Sequence, residues 1–139
     1  MARIVLAVLV LALAMAACDD AEPPPNGSPL RLAGTAWRAI AVAGKRPIPG
    51  HEPTIAFGPD RLSGNGGCNG FGGTYTYIDG VLKFDQLATT LALCDGPVGS
   101  VENSFSQILS SVKRVSIEAN GNLLLEGVGG QVLLVPTTG

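Results

Sequence analysis

The chain has 139 residues, enough for one domain with a short extension and too few for two domains. Its 19 glycines and 10 prolines, with only 5% aromatic residues, favour many turns between short strands. The 11 acidic residues outnumber the 9 basic ones, which argues against nucleic acid or anionic lipid as a partner because there is no excess of positive charge.

The first residues have the pattern of an export signal. Arg3 precedes an apolar stretch that ends in small residues before Cys18. The stretch is about 14 residues long, below the roughly 20 that cross a bilayer, so a cleaved leader over residues 1–17 is predicted. Met15-Ala16-Ala17-Cys18 resembles a bacterial lipobox, which implies a lipid on Cys18. An ordinary signal peptide with an incidental cysteine and an uncleaved anchor are the alternatives.

Residues 18–29 are expected to form an extended tether. They have almost nothing apolar to bury and include three consecutive prolines, which favour the polyproline form. At about 3.1 Å per residue, the tether would hold a domain roughly 30 Å from a membrane. The folded domain is therefore expected over residues 30–139.

The three cysteines are predicted to have two different fates. Export places them in an oxidising compartment, where an odd number leaves one unpaired. A lipid on Cys18 removes that residue from the count and leaves Cys68 and Cys94 for a disulfide. Free thiols or a metal pair are the alternatives, and a metal is poorly supported because no third cysteine or histidine stands at ligand spacing.

The domain begins with a predicted strand, Thr35–Val42, which contains the only tryptophan. Alternation leaves apolar residues on both faces of this strand, so the period does not decide which face is buried. Trp37 is interpreted as a core residue rather than as a ligand platform. The loop over residues 44–53 is rich in proline and holds the only histidine, His51, which is interpreted as a solvated loop residue.

Strand patterns and turns alternate through the middle of the chain. Residues 54–57 predict a short strand, and residues 74–78 and 81–84 predict a hairpin around Asp79-Gly80. Residues 87–93 predict another strand, which ends at Cys94. Before the hairpin, residues 64–73 contain six glycines, and this stretch is interpreted as a tight structural loop.

A helix and three further strands complete the chain. The helix is predicted from an apolar spacing of three or four residues, with Asp95 or Ser100 as its cap; the apolar positions are Val98, Val101, Phe105, Ile108, Leu109 and Val112. Strands are predicted over residues 113–118, 122–126 and 131–135. The domain is therefore predicted to be mainly β, a small antiparallel β-barrel-like meander of about eight strands with one inserted α-helix, because closure removes open edges.

The order of motifs resembles a known family. An early Thr-x-Trp strand is followed by the run Gly67-Cys68-Asn69-x-Phe71-x-Gly73-x-Tyr75, then by Thr89-Thr90-x-x-x-Cys94 and Glu102-x-x-Phe105. This pattern resembles the META domain, the family of the heat-shock lipoprotein HslJ, over about residues 30–135. The resemblance implies a β-barrel-like fold with a helix, an envelope location, and a link to stress tolerance or secretion without an established enzymatic activity. The chain departs from the family at residues 90–93, where arginine and methionine are common.

Motifs for nucleotide binding and catalysis do not fit this chain. No lysine follows the glycines as a P-loop requires, and the dinucleotide pattern that starts at Gly64 fails at Asn69. A serine or cysteine nucleophile would need a base, and His51 is the only histidine. Glu102 is interpreted as an acceptor of hydrogen bonds from the glycine-loop amides rather than as a catalytic acid. The sequence therefore predicts no enzyme, no cofactor and no metal site.

The sequence predicts a lipoprotein of the cell envelope. A lipid on Cys18 would attach it to the inner or outer membrane, with a monomeric domain in the periplasm and an unidentified envelope protein as its partner. The leading hypothesis is a non-catalytic binding or accessory module in stress tolerance. The alternative is a carrier or sensor of a small apolar ligand inside the barrel, which would need empty apolar volume there.

Overall fold

The computed structural model describes residues 30–138. The predicted leader, the predicted lipid site at Cys18 and the predicted tether lie outside the described residues and stay predictions. Within the described part, the elements in chain order are β1 (Thr35–Val42), β2 (Thr54–Phe57), β3 (Arg61–Asn65), β4 (Gly70–Ile78), β5 (Val81–Thr89), α1 (Gly96–Ser110), β6 (Arg114–Ile117), β7 (Leu123–Gly127) and β8 (Gly130–Pro136).

The eight strands form a closed antiparallel barrel in sequence order. Each strand pairs with the next, and β8 returns to pair with β1, so every strand has two neighbours. The seam between β5 and β6 is the thinnest, because Val81 and Arg114 are its one residue pair. The helix α1 lies in the connection between these two strands. The prediction of a mainly β barrel-like fold with one helix is confirmed.

The hairpin between β4 and β5 follows the predicted turn chemistry. Asp79 and Gly80 have positive φ angles of 51° and 80°, which suits a tight hairpin connection. The register then runs from the pair Ile78 and Val81 up the strands. This local signal places the end of β4 and the start of β5 at the predicted residues, but β4 begins at Gly70, four residues before the predicted strand.

A bulge in β1 explains why the alternation of that strand was ambiguous. Trp37 and Ala39 are buried, and the next buried position is Val42 instead of Ala41. The register with β8 shifts between Ala39 and Ala41, so the inward face changes by one residue. Trp37 is a core residue as predicted, and its indole N–H donates to the hydroxyl of Thr35 at 2.7 Å.

The prediction of a separate strand over residues 87–93 is wrong. Strand β5 runs without interruption from Val81 to Thr89, and its register against β4 shifts between Gly72 and Thr74. The strand ends there because its partner β4 begins at Gly70 and supplies no backbone beyond that residue. Leu91 and Leu93, expected in a strand, are instead 93% and 97% exposed.

Helix α1 begins two residues before the first predicted apolar position. Asp95 is the N-cap residue but its side chain makes no capping bond, and a proline occupies the first turn. Val101, Phe105 and Ile108 point into the barrel and are buried, as the spacing predicted. Among residues 30–138 there is no helix with the length and apolarity of a membrane span.

The interior of the barrel is filled by side chains. Positions from five strands and from α1 meet there with almost no exposure, each contributing roughly 1.5–3 kcal/mol through burial. These residues are Val42, Ile55, Leu82, Phe105, Ile108, Leu123, Leu125, Val132 and Leu134. The core therefore has the packing expected of a solid scaffold.

Tyr75 lies in the wall of this core, beside Phe57, and its ring centroid is 5.1 Å from the phenylalanine ring. Its hydroxyl donates to the carbonyl oxygen of Gly58 at 2.6 Å. Burial raises the pKa of Tyr75, and the nearby charge of Asp60 raises this pKa further. The folded protein therefore holds the phenol proton more tightly than the unfolded chain does.

We expect this raised pKa to appear in the alkaline stability of the protein. The stabilisation that depends on protonated Tyr75 is present below the ordinary pKa of about 10 and is lost as the pH rises through the higher folded pKa. As the pH rises above about 10, the free energy of unfolding should fall less in the Tyr75→Phe variant than in the wild type. At pH 7 the variant should be about 1 kcal/mol less stable than the wild type, because the carbonyl oxygen of Gly58 loses its donor. Urea unfolding across this pH range measures both effects. The control is Tyr77→Phe, and identical alkaline slopes for the two variants would contradict the assignment.

Candidate functional site

The glycine loop connects β3 to β4 at one end of the barrel. Gly67 has a φ angle of 116°, which side-chain-bearing residues rarely adopt. A β-carbon on Gly66 would stand 2.6 Å from a carboxylate oxygen of Glu102. The glycines thus let the loop backbone approach α1 closely. The loop is shorter than the predicted 64–73, because Gly64 and Asn65 belong to β3 and residues 70–73 belong to β4.

Glu102 extends from α1 into this loop and is 8% exposed. Its Oε1 atom accepts hydrogen bonds from the backbone N–H of Asn69 at 2.6 Å and of Cys68 at 3.4 Å. Its Oε2 atom accepts from the side-chain amide of Asn69 at 2.9 Å. The prediction that Glu102 accepts bonds from glycine-loop amides is confirmed, and both carboxylate oxygens are committed to the loop.

The Asn69 side chain continues the β-ladder past the end of β4. A carboxamide offers the same acceptor and donor as a peptide group. Asn69 Oδ1 accepts from the backbone N–H of Ala92 at 2.7 Å, and Nδ2 donates to the carbonyl oxygen of Ala92 at 3.1 Å. Asn69 therefore acts as an additional peptide unit that pairs with the segment after β5.

Thr90 completes the attachment of this segment. Its backbone N–H donates to the carbonyl oxygen of Gly70 at 2.9 Å. Its hydroxyl donates to Asn69 Oδ1 at 2.9 Å and accepts from the backbone N–H of Gly70 at 3.2 Å. Alternate residues of the segment, Thr90 and Ala92, are thus fixed to the start of β4.

Cys68 and Cys94 form the predicted disulfide, with Cα atoms 6.3 Å apart and a sequence separation of 26. The bond ties the glycine loop to the end of the segment that Asn69 holds. The cysteine sulfurs and a Glu102 carboxylate oxygen lie within 4.8 Å of one another, as ligands of a metal would. With both sulfurs in the disulfide, however, the carboxylate is the one metal-ligating group left in this set.

Other predicted positions support this cluster or lie away from it. Phe71 and Phe105 pack beneath it with ring centroids 5.8 Å apart. Thr89 is the last residue of β5 and pairs with Phe71. Gly73 and Tyr75 lie farther along β4: Gly73 is buried against the backbone of Asp85, and Tyr75 belongs to the core wall.

His51 is exposed, as expected of a loop residue. Its Nδ1 atom lies 2.9 Å from the carbonyl oxygen of Gly67, so the ring can donate a hydrogen bond to the glycine loop. Neighbouring Glu52 forms a peripheral ion pair with Arg38 at 3.8 Å. The histidine thus contributes to holding the loop.

Gly99 is a residue of the site that sequence reasoning missed. It lies in the first turns of α1, and a β-carbon there would collide with the carbonyl oxygen of Cys94. Helix propensity alone favours alanine over glycine by about 1 kcal/mol. The contact with Cys94 is therefore what requires glycine at this position.

We expect Gly99→Ala to destabilise the protein by about 2 kcal/mol, because relieving the collision must displace either α1 or the backbone at Cys94. Ser100→Ala, one residue along the same helix and exposed, should leave stability unchanged or slightly raised. Thermal unfolding followed by circular dichroism compares the two. If Gly99→Ala melts at or above the temperature of Ser100→Ala, the close approach of α1 to Cys94 is not a constraint.

The cluster borders a cleft on the surface. The cleft has a volume of about 270 Å³ and is lined both by residues 89–93 and by Asn103 and Ser106 of α1. Leu91 and Leu93 stand on its rim with their side chains almost fully exposed. The polar cluster thus holds two apolar side chains at the surface.

The comparisons with known proteins agree with this architecture. The META domain family model matches residues 30–138. An NMR structure of a protein from Burkholderia xenovorans has a TM-score of 0.62 at 23% identity, covering 85% of this chain and 99% of that chain, a likeness that shows the fold. A second protein, also solved by NMR, has a TM-score of 0.62 at 26% identity, covering 74% of this chain and 89% of that chain. No curated protein matches the chain. Because the family match spans well over half of its residues, the chain belongs to the META domain family.

Proposed function

We propose that this protein is a non-catalytic lipoprotein of the bacterial cell envelope that binds another envelope protein and serves in stress tolerance. The leader pattern and Cys18 support an anchored, exported chain. The disulfide between Cys68 and Cys94 supports an oxidising compartment. Membership of the META domain family supports the link to the envelope and to stress, in keeping with the resemblance described above.

The observation that carries the binding role is the fixed, exposed pair Leu91 and Leu93. Single exposed leucines are ordinary on protein surfaces. Here two of them stand on one short segment whose intervening residue is bonded through both backbone groups to Asn69. A segment that is already ordered loses little conformational entropy on binding, which favours a contact surface.

The packed interior gives no support to the alternative of a ligand carrier. A carrier needs apolar volume that side chains leave empty. In the described part of the chain, the inward-facing residues of the strands are instead buried against one another and against α1. The polar groups of Asn69 and Glu102 hold the loop and the helix together, which agrees with a structural role for both.

Photo-crosslinking in living cells tests the binding role. A photoreactive residue is placed at Leu91 or at Val128, which is 62% exposed and lies near the other end of α1. One discrete protein adduct from either position supports the proposal, and the absence of a protein adduct from both positions would overturn it.

Fractionation of a Cys18→Ala variant tests the anchor: release into the soluble fraction is expected, and full retention in the membrane would contradict lipid attachment.

A further inference from the structure

The segment over residues 89–93 is bonded along one edge. The backbone N–H of Thr90 donates to the carbonyl oxygen of Gly70, and both backbone groups of Ala92 bond to the Asn69 side chain. The N–H and C=O groups of Leu91 and Leu93 make no hydrogen bond to any residue in the described part of the chain. This alternation is that of an edge strand, in which every second residue presents its backbone to a further strand.

The free side of this segment is accessible. Strand β6 pairs with β5 at Val81, far from the segment, so no strand of the described barrel covers residues 89–93. The cleft beside them is bounded on its other side by Asn103 and Ser106 of α1. A groove between a strand edge and a helix is a shape into which an extended peptide can be added.

The chemistry of the segment selects the kind of partner. Residues 86–93 carry no charged side chain and no proline, the usual devices that protect an edge from pairing. The cleft is lined without lysine or arginine, which does not suit an anionic lipid surface. Exposed Asp95 at the end of the segment favours a basic residue on the partner.

The size of the surface favours a peptide over a second copy of the chain. Two leucine side chains and five residues of backbone form a surface much smaller than the approximately 800 Å² per partner of a stable interface between folded proteins. A single added strand gains main-chain hydrogen bonds in addition to this area. The edge therefore fits one extended segment better than it fits a symmetric dimer.

We infer that residues 89–93 form a β-strand addition site for an extended, apolar segment of the envelope partner. Alternate side chains of that segment would pack on Leu91 and Leu93, and a basic residue of the segment would lie near Asp95. This inference rests on the proposed function and assigns it to one edge. Its backbone donors and acceptors are those of Leu91 and Leu93. Asn69, Glu102 and the disulfide hold that edge in place.

The test uses the full chain and two synthetic peptides. The first peptide has eight residues, alternates valine with threonine, and ends in lysine. The second is the same peptide with its valine amides methylated, which removes donors along one edge and keeps the side chains. Binding is followed by NMR of the isotope-labelled protein, together with exchange protection of the Leu91 and Leu93 amide protons.

We expect the first peptide to shift resonances of residues 89–93 and Asn103 and to protect the two leucine amides. The methylated peptide should bind the wild type at least roughly tenfold more weakly than the first peptide does. The first peptide should likewise bind at least roughly tenfold more weakly to a Leu91→Ser/Leu93→Ser variant that melts at the same temperature as the wild type. Equal binding of the two peptides, shifts elsewhere on the barrel, or no binding at about 1 mM would overturn the inference. Leucine-dependent self-association, or leucine-dependent binding to anionic vesicles, without peptide binding would overturn it in favour of a second copy or a membrane.

The crosslinking experiment separates this inference from the proposed function. A discrete protein adduct from Val128 with none from Leu91 would leave the binding role standing and overturn the assignment to this edge. The absence of adducts from both positions would overturn the binding role itself. An adduct from Leu91 that the first peptide displaces from the purified complex, and that the methylated peptide does not, supports both.

Discussion

Replacing both Cys68 and Cys94 with alanine is expected to lower the melting temperature of the protein by about 13 °C. The disulfide closes a loop across a sequence separation of 26 residues, and by restricting the unfolded chain a loop of this size contributes on the order of 3 kcal/mol. For a domain of about 110 residues this is a large share of the total stability. Thermal unfolding by circular dichroism measures the shift.

A Cys18→Ala variant is the matched control, since it removes a cysteine without touching the bond. Strong reductant should lower the melting temperature of this control and of the wild type alike, while leaving the double variant unchanged. If the double variant melts together with the Cys18→Ala control, the disulfide does not stabilise the domain. The amide protons of the glycine loop should also exchange faster in the double variant, because the loop is no longer covalently bonded to residue 94.

Elements with local signals were predictable from the sequence. The hairpin around Asp79 and Gly80 follows from turn residues that tolerate positive φ. Helix α1 follows from the spacing of residues such as Phe105 and Ile108 on one face. The bond from the glycine loop to Glu102 could be predicted because a carboxylate near a run of backbone amides has an evident set of donors.

The features that sequence reasoning missed depend on tertiary contacts. Leu91 and Leu93 alternate with Thr90 and Ala92 as in a half-buried strand, and no local pattern shows that the partner strand stops at Gly70. The bulge after Ala39 likewise appears only once β8 sets the register. The alternation correctly indicated that every second residue of this segment is hydrogen-bonded to the rest of the protein. It could not indicate that the backbone of Ala92 bonds to the side chain of Asn69 instead of to a neighbouring strand.

Glu102→Ala is expected to destabilise the protein by about 3 kcal/mol. The substitution leaves the backbone N–H groups of Cys68 and Asn69 and the Asn69 amide without their acceptor, at about 1–3 kcal/mol for each group that water cannot reach. Glu102→Gln keeps one acceptor oxygen but turns an amide donor towards another donor, so its effect should be intermediate. Asn103→Ala, at the neighbouring exposed position of α1, is the matched control and should change the free energy of unfolding little.

The consequence of Glu102→Ala should extend beyond the loop to the leucine segment. Glu102 orients the Asn69 amide, and Asn69 in turn holds both backbone groups of Ala92. Hydrogen exchange should therefore show faster exchange at the amides of Asn69 and Ala92 in Glu102→Ala, with those of the β7–β8 hairpin unchanged. Urea unfolding of the three variants ranks their stabilities. A Glu102→Ala protein that is as stable as Asn103→Ala, or that protects the Ala92 amide as the wild type does, would show that the segment is held by the disulfide and Thr90 alone.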